Sequence, residues 1–157
     1  MTTTLVIGSK TYSSWSLRPW LFLKHHGVPF EEKKILFSDA DYQQQIRAVS
    51  GSGKVPLLID GSTKVWESLA ICEHVAEHHA LRDVWPADPG ARALARSMAC
   101  EMHAGFADLR RDFLFHCRRQ PSPAPHSAQT AADVRRICSL WREARRCGDN
   151  GTWLFGK

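Results

Sequence analysis

The apolar and polar positions of the chain predict a strand, a helix, a second strand, a hairpin and a helix, followed by helices alone. Leu5-Val6-Ile7 is a short apolar run closed by Gly8 and reads as a buried strand. The apolar-rich segment after Ser16 reads as a buried helix ended by Gly27. With Ser16 as N-cap, Pro19 takes the third helical position, where a missing N–H does no harm. Val28-Pro29-Phe30 leads into EEKKILF, a strand that the strand–helix–strand order makes parallel to the first. From Ser38 to Ser52 the chain is polar and poorly periodic, with a short helix near Asp41 to Ala48. Pro56 opens the strand Leu57-Leu58-Ile59, Asp60-Gly61 marks a hairpin turn, and Lys64-Val65-Trp66 returns. Ser68 then caps a helix from Leu69 to His79.

The second half carries a different pattern. Arg82 to Pro86 has the look of a linker, and Asp88-Pro89 is a helix start with Asp at the N-cap and Pro at the first helical position. Leu94, Met98, Met102, Phe106, Leu109 and Phe113 recur at near-helical spacing and predict one long amphipathic helix to about Arg118. QPSPAPHS is a rigid loop, and Val134, Ile137, Cys138 and Trp141 define a further helix ended by Gly148, giving an antiparallel helical pair. In the tail Gly151 to Lys157, the apolar Trp153-Leu154-Phe155 needs a cover.

Composition narrows the class. The 157 residues are 43% hydrophobic, enough for a globular core of one domain or two small layers. No apolar run reaches membrane-spanning length and MTTTLVIGSK lacks a signal-peptide pattern, so a cytoplasmic location is the expectation. The five cysteines, an odd number without close pairs, read as reduced thiols, most of them packed into helices. The net charge of +5 is uneven: through Asp83 nine Lys/Arg face nine Asp/Glu, and afterwards twelve face seven. The arginine pairs at 110/111, 118/119, 135/136 and 145/146 have acids between them and no interleaved aromatics for base stacking. They read as a solvated helix face rather than a nucleic-acid surface.

Three stretches carry candidate chemistry. Ser13 and Ser14 lie in the loop between strand and helix, where the helix's positive end would stabilise an anion; the alternative is that they only cap and turn. GSGKVPLL fails as a phosphate loop, because Val55 rather than Ser or Thr follows Lys54 and the upstream glycine spacing is absent. If the Val55–Pro56 bond is cis, the N–H and C=O of Val55 would turn outward to receive another extended backbone. Glu67-Ser68 opens a helix whose N-terminal amides and hydroxyl suit a carboxylate, or else is a plain cap beside a surface acid. His74 and His78 stand one turn apart, but their helix has no well-placed further ligand, so no metal is expected.

In this order and spacing, YSSWSLRPW, KVPLL and ESLAICEHV resemble the glutathione transferase family over the whole chain, and most closely its serine-type, zeta-like bacterial members, whose SSCS motif is similar to SSWS here. The resemblance implies an α/β thioredoxin-like N-terminal domain with a mixed four-stranded sheet at residues 1–82, followed by an all-helical domain at 88–157. It implies that Ser13 donates a hydrogen bond to the glutathione sulfur with Ser14 and Trp15 beside it. It also implies that Val55, ahead of cis Pro56, pairs with the backbone of glutathione, that Glu67 and Ser68 hold the γ-glutamyl ammonium and carboxylate, and that Lys54 is a further candidate for the glycyl carboxylate. Glutathione would be the co-substrate, a small electrophile the second substrate, isomerisation of a maleyl-type acid one reaction, and a homodimer the assembly. The chemistry is sensible on its own terms, since a hydroxyl donor at a helix N-terminus favours a thiolate, and lowering a thiol pKa by about two units corresponds to about 2.7 kcal/mol. Thioredoxin-like redox chemistry is excluded, because no cysteine precedes Cys72.

One departure from the family marks the C-terminus. Its members continue past a W-L-F-G-like segment with further helices, whereas this chain stops at Gly156-Lys157. On that reading the helical domain is truncated, the electrophile pocket lacks a wall, and low stability, association and impaired turnover follow. A non-catalytic glutathione-binding or interaction module is then the alternative to an enzyme.

Overall fold

The computed structural model describes residues 3–120, 125–148 and 151–156. Residues 121–124 of the expected QPSPAPHS loop and Lys157 of the tail lie outside the described residues. In chain order the elements are β1 (Thr3–Ile7), α1 (Ser14–His25), β2 (Glu31–Lys34), α2 (Tyr42–Val49), β3 (Leu57–Asp60), β4 (Thr63–Trp66), α3 (Ser68–His78), α4 (Pro89–Ala104), α5 (Ala107–Asp112) and α6 (Ala128–Arg146). They form two compact units, residues 1–81 with 115–119, and residues 82–114 with 120–157.

The first unit is a thioredoxin-like α/β layer with strand order β2-β1-β3-β4. β1 pairs parallel with β2 and antiparallel with β3, and β3 pairs antiparallel with β4. Alternation along β1 feeds two cores. Leu5 and Ile7 join Leu23, Leu58, Ile71 and Val75 on the face covered by α1 and α3, while Val6 joins Leu57, Ile35 and Ile46 on the α2 side. β2 is an edge strand whose four residues, Glu-Glu-Lys-Lys, are all exposed, so its charges guard the open edge. It ends at Lys34 rather than running to Phe37, because Ile35 turns into the core after donating its N–H to Ile7 O at 2.9 Å. Glu32 accepts from Lys10 Nζ and Trp20 Nε1, at 2.8 and 2.7 Å. Partial desolvation opposes its ionisation, but these donors and Lys34 hold its carboxyl below the ordinary value.

Helix α1 corrects the expected cap. Ser13, not Ser16, is the N-cap, its Oγ accepting from Ser16 N, so Pro19 lies in the helix interior and not in its third position. Ser16 is fully buried and its Oγ accepts the Gly8 N–H at 3.0 Å. A hydroxyl held there by the strand end cannot also cap from outside the helix. Likewise Glu67, with φ of 69°, is the N-cap residue of α3, and Ser68 is its first helical residue.

The second unit is helical. Asp88 caps α4 by accepting from Ala91 N, and Pro89 is the first helical residue. The expected single helix to Arg118 breaks at Gly105 and Phe106. Phe106 adopts the left-handed conformation (φ 64°), which restarts the chain as α5 and leaves its side chain buried with Met98, Ile137 and Leu140. The apolar spacing therefore continues across a break in the backbone. Helix α6 runs antiparallel to α4 and α5. Glu101 takes Arg136, Asp133 takes the Leu109 N–H, and Asp112 takes Thr130 Oγ1 and Ser127 N. These hydrogen bonds from Thr130 and Ser127 hold the Asp112 carboxyl well below the ordinary 3.8. In the tail, Phe155 packs on the α4–α6 cluster, whereas Trp153 is 63% exposed. All five cysteines are free thiols; three lie in helices, but Cys100 is exposed, as are Cys117 and Cys147.

Candidate functional site

Register brings the three candidate stretches to one edge of the sheet. Val6 lies opposite Leu57, and Leu57 lies opposite Trp66. The chain leaving β1 toward Ser13, the chain entering β3 from Val55, and the chain leaving β4 into Glu67 therefore pass the same end of neighbouring strands. Two helix N-termini, those of α1 and α3, begin at this edge. Their unpaired N–H groups make it electropositive, a setting for carboxylates and a thiolate.

Within this edge the side chains differ in what they have left to give. Ser13 is buried, and its Oγ accepts from Ser16 N at 3.2 Å while donating to Ser16 Oγ at 3.0 Å. Its one proton is engaged. Ser14 is the first residue of α1, half-buried, and among the described residues its hydroxyl has no hydrogen-bond partner. Trp15 follows, with the Arg18 guanidinium 4.3 Å from its ring centroid. Ser68 is 2% exposed, and its hydroxyl also lacks a partner among the described residues. Glu67 beside it is exposed, in a left-handed backbone conformation that non-glycine residues adopt at a cost.

The Val55–Pro56 peptide bond is cis. Independently of that, Val55 precedes β3, and among the described residues its N–H and C=O enter no hydrogen bond. That is one free rung for an extended peptide. Lys54 is exposed, with its backbone N–H on Ser52 Oγ at 3.3 Å. Cys72, one turn into α3, is no rival nucleophile. Burial, followed by the nearby Glu73, pushes its thiol up to about 12.

A residue group outside this edge escapes sequence reasoning. Asp60 at the end of β3 accepts from Thr3 Oγ1 at 3.0 Å and meets His74 Nε2 at 3.1 Å. The hydrogen bond from His74, with Thr3 against desolvation, holds its carboxyl below the ordinary value. The histidine pair at helical spacing is visible in the sequence; its carboxylate partner comes from the hairpin, and no spacing rule links the two.

Known proteins resemble this chain in sequence and in fold. Residues 12–78 match the model of the glutathione S-transferase N-terminal domain. A Caenorhabditis elegans protein named as a probable maleylacetoacetate isomerase is 30% identical over 96 residues, covering 61% of this chain and 44% of that protein. Mouse glutathione S-transferase theta-2 is 34% identical over 76 residues, covering 47% and 31%. The chain thus spans less than half the length of these curated relatives. Among solved structures, a theta class glutathione S-transferase from Xanthomonas axonopodis pv. citri with glutathione bound superposes with a TM-score of 0.69 at 25% identity, covering 99% of this chain and 74% of that one. A glutathione transferase homolog from Burkholderia with bound glutathione gives a TM-score of 0.72 at 22% identity, covering 100% and 73%, a likeness of fold. Residues 12–78 thus form a glutathione S-transferase N-terminal domain.

Proposed function

We propose that the chain binds glutathione along the sheet edge formed by the ends of β1, β3 and β4 and presents its sulfur as a thiolate to a small electrophile, by conjugation or by a zeta-like isomerisation. The observation that carries this reading is the convergence, through the register Val6–Leu57–Trp66, of two helix N-termini with unspent hydroxyls and one unpaired backbone rung. The γ-glutamyl carboxylate would lie on Ser68 and the α3 amides, its ammonium near Glu67, the cysteinyl backbone on Val55 and the glycyl carboxylate toward Lys54. Ser14, with its unengaged hydroxyl at the start of α1, is the donor to the sulfur, while Ser13 holds the loop and Trp15 packs beside it. A charge-assisted hydrogen bond of this kind contributes roughly 1.5–3 kcal/mol, which converts to about a ten- to hundredfold gain in thiolate.

The glutathione-binding domain would be residues 1–82 and the helical domain 88–157, with a homodimer as the assembly and the cytoplasm as the location. None of the described helices is long and apolar enough to cross a membrane. Binding without turnover is the second reading, favoured by the engagement of the Ser13 hydroxyl in the helix cap. Retention on immobilised glutathione and a conjugation assay on wild type, Ser14→Ala and Glu67→Ala separate the readings. Retention with turnover that falls at least tenfold in Ser14→Ala is the expected result. Retention with no turnover in wild type leaves the binding module. Unchanged retention in Glu67→Ala defeats the site assignment.

A further inference from the structure

We propose that Asp60, His74 and His78 form a site for a divalent transition-metal ion of the zinc class. One oxygen is the focus of the group. Asp60 Oδ2 stands 3.1 Å from His74 Nε2 and 3.8 Å from His78 Nε2, and the three ligand atoms lie within 4.8 Å of one another. Metal–ligand bonds of about 2.0–2.1 Å in a tetrahedron set ligand atoms about 3.3–3.4 Å apart, between the two observed separations. The 3.8 Å approach is too long for a hydrogen bond. The hydrogen-bonded His–Asp pair therefore uses His74, while His78 stands at ion-pair distance from the same oxygen.

The supporting geometry is that of a prepared ligand set. His74 and His78 are one helical turn apart on one face of α3, with rings only 16° from parallel and centroids 5.8 Å apart. Thr3 Oγ1 donates to Asp60 Oδ1 at 3.0 Å, which fixes the carboxylate and leaves Oδ2 toward the histidines, the role of an outer-shell partner. Two imidazoles and one carboxylate suit zinc, cobalt or nickel rather than calcium or magnesium, which take oxygen ligands. The carboxylate is shielded while the His78 side chain is 57% exposed, so an ion has a path in and solvent can supply a fourth ligand. Bound metal would tie the C-terminal half of α3 to the β3–β4 hairpin.

The test titrates the full chain with zinc chloride by calorimetry, alongside His78→Ala and His79→Ala. His79 sits next to His78 at the helix end but outside the group. His78→Ala removes an exposed side chain, and its melting temperature without metal serves as the folding control. The expected result is one zinc per chain, at least tenfold weaker in His78→Ala and unchanged in His79→Ala, with zinc raising the melting temperature of wild type and His79→Ala more than that of His78→Ala. Cobalt as a second probe should give a spectrum without thiolate-to-metal charge transfer. Equal affinity in wild type and His78→Ala, equal weakening by His79→Ala, or a thiolate band from the free cysteines would each overturn the proposal.

Discussion

Two adjacent serines with opposite roles make the sharpest prediction. Ser13→Ala removes an oxygen that accepts the Ser16 N–H at 3.2 Å and gives its proton to Ser16 Oγ at 3.0 Å, while that same Oγ holds the Gly8 N–H. Loss of an N-cap serine costs about 1 kcal/mol and up to about 2. Because Ser16 is fully buried, water cannot replace the missing partner, which favours the upper part of that range. For a chain of this length each kcal/mol moves the melting temperature by roughly 2–4 °C, so a fall of about 3–8 °C is expected. Ser14→Ala deletes a hydroxyl that no described residue uses, and stability should stay within about 0.5 kcal/mol of wild type. Urea unfolding followed by far-ultraviolet circular dichroism reads both, with an unchanged slope marking a change in stability alone. Ser13→Thr, which keeps the accepting oxygen, should recover most of the loss. If Ser14→Ala were the destabilised variant and Ser13→Ala the neutral one, the cap assignment and the choice of Ser14 as sulfur donor would both fail.

Three further predictions follow from the geometry. Asp112 has a depressed folded pKa set first by Thr130 and then by Ser127, so its contribution is present above about the ordinary 3.8 and is lost as the pH falls toward the folded value; acid unfolding of wild type should steepen below pH ~4, and Asp112→Asn should flatten that limb. Iodoacetamide at neutral pH should label exposed Cys100, Cys117 and Cys147 and spare Cys72, as read by peptide mass spectrometry, because the Cys72 thiol is pushed up to about 12. Glu67→Gly should abolish retention on glutathione with little change in melting temperature, since relief of the positive φ, about 1–2 kcal/mol, is offset by roughly 0.5–1 kcal/mol of added chain freedom.

Strands β1, β3 and β4 were legible because each is bounded by a residue with one structural meaning, whereas the apolar Ile35-Leu36-Phe37 after β2 hid its end at Lys34. Gly8 closes β1, Pro56 precedes β3, and Asp60-Gly61 turns the hairpin. The cap of α1 was not legible, because Ser13, Ser14 and Ser16 all have capping side chains and local sequence does not rank them. Burial decides it: Ser16 is drawn under the end of β1 by the Gly8 N–H, which leaves Ser13 at the cap. The break after α4 hid behind a continuous apolar spacing. Gly105 was its signal, since a Cβ there would meet Glu101 O at 2.9 Å where the chain turns. Asp60 could not be joined to His74 from sequence, because 14 residues and a hairpin separate them.

The candidate site depends on the hydrophobic core for its position. Leu5 lies opposite Leu58 and Val6 opposite Leu57, and the two pairs face different cores, one under α1 and α3 and one under α2. A one-residue slip of β3 would exchange these faces and drive each side chain into the wrong core, so the register is locked from both sides of the sheet. The same lock sets Leu57 beside Val6 and Trp66, and hence places the Val55 backbone between the starts of α1 and α3. Apolar residues that never touch a ligand thus fix where its backbone and carboxylate would be held. The serine and acid identities at that edge then decide what chemistry is done there. Substitutions that weaken the Val6–Leu57 pair should therefore loosen glutathione retention together with stability, whereas Glu67→Gly should separate them.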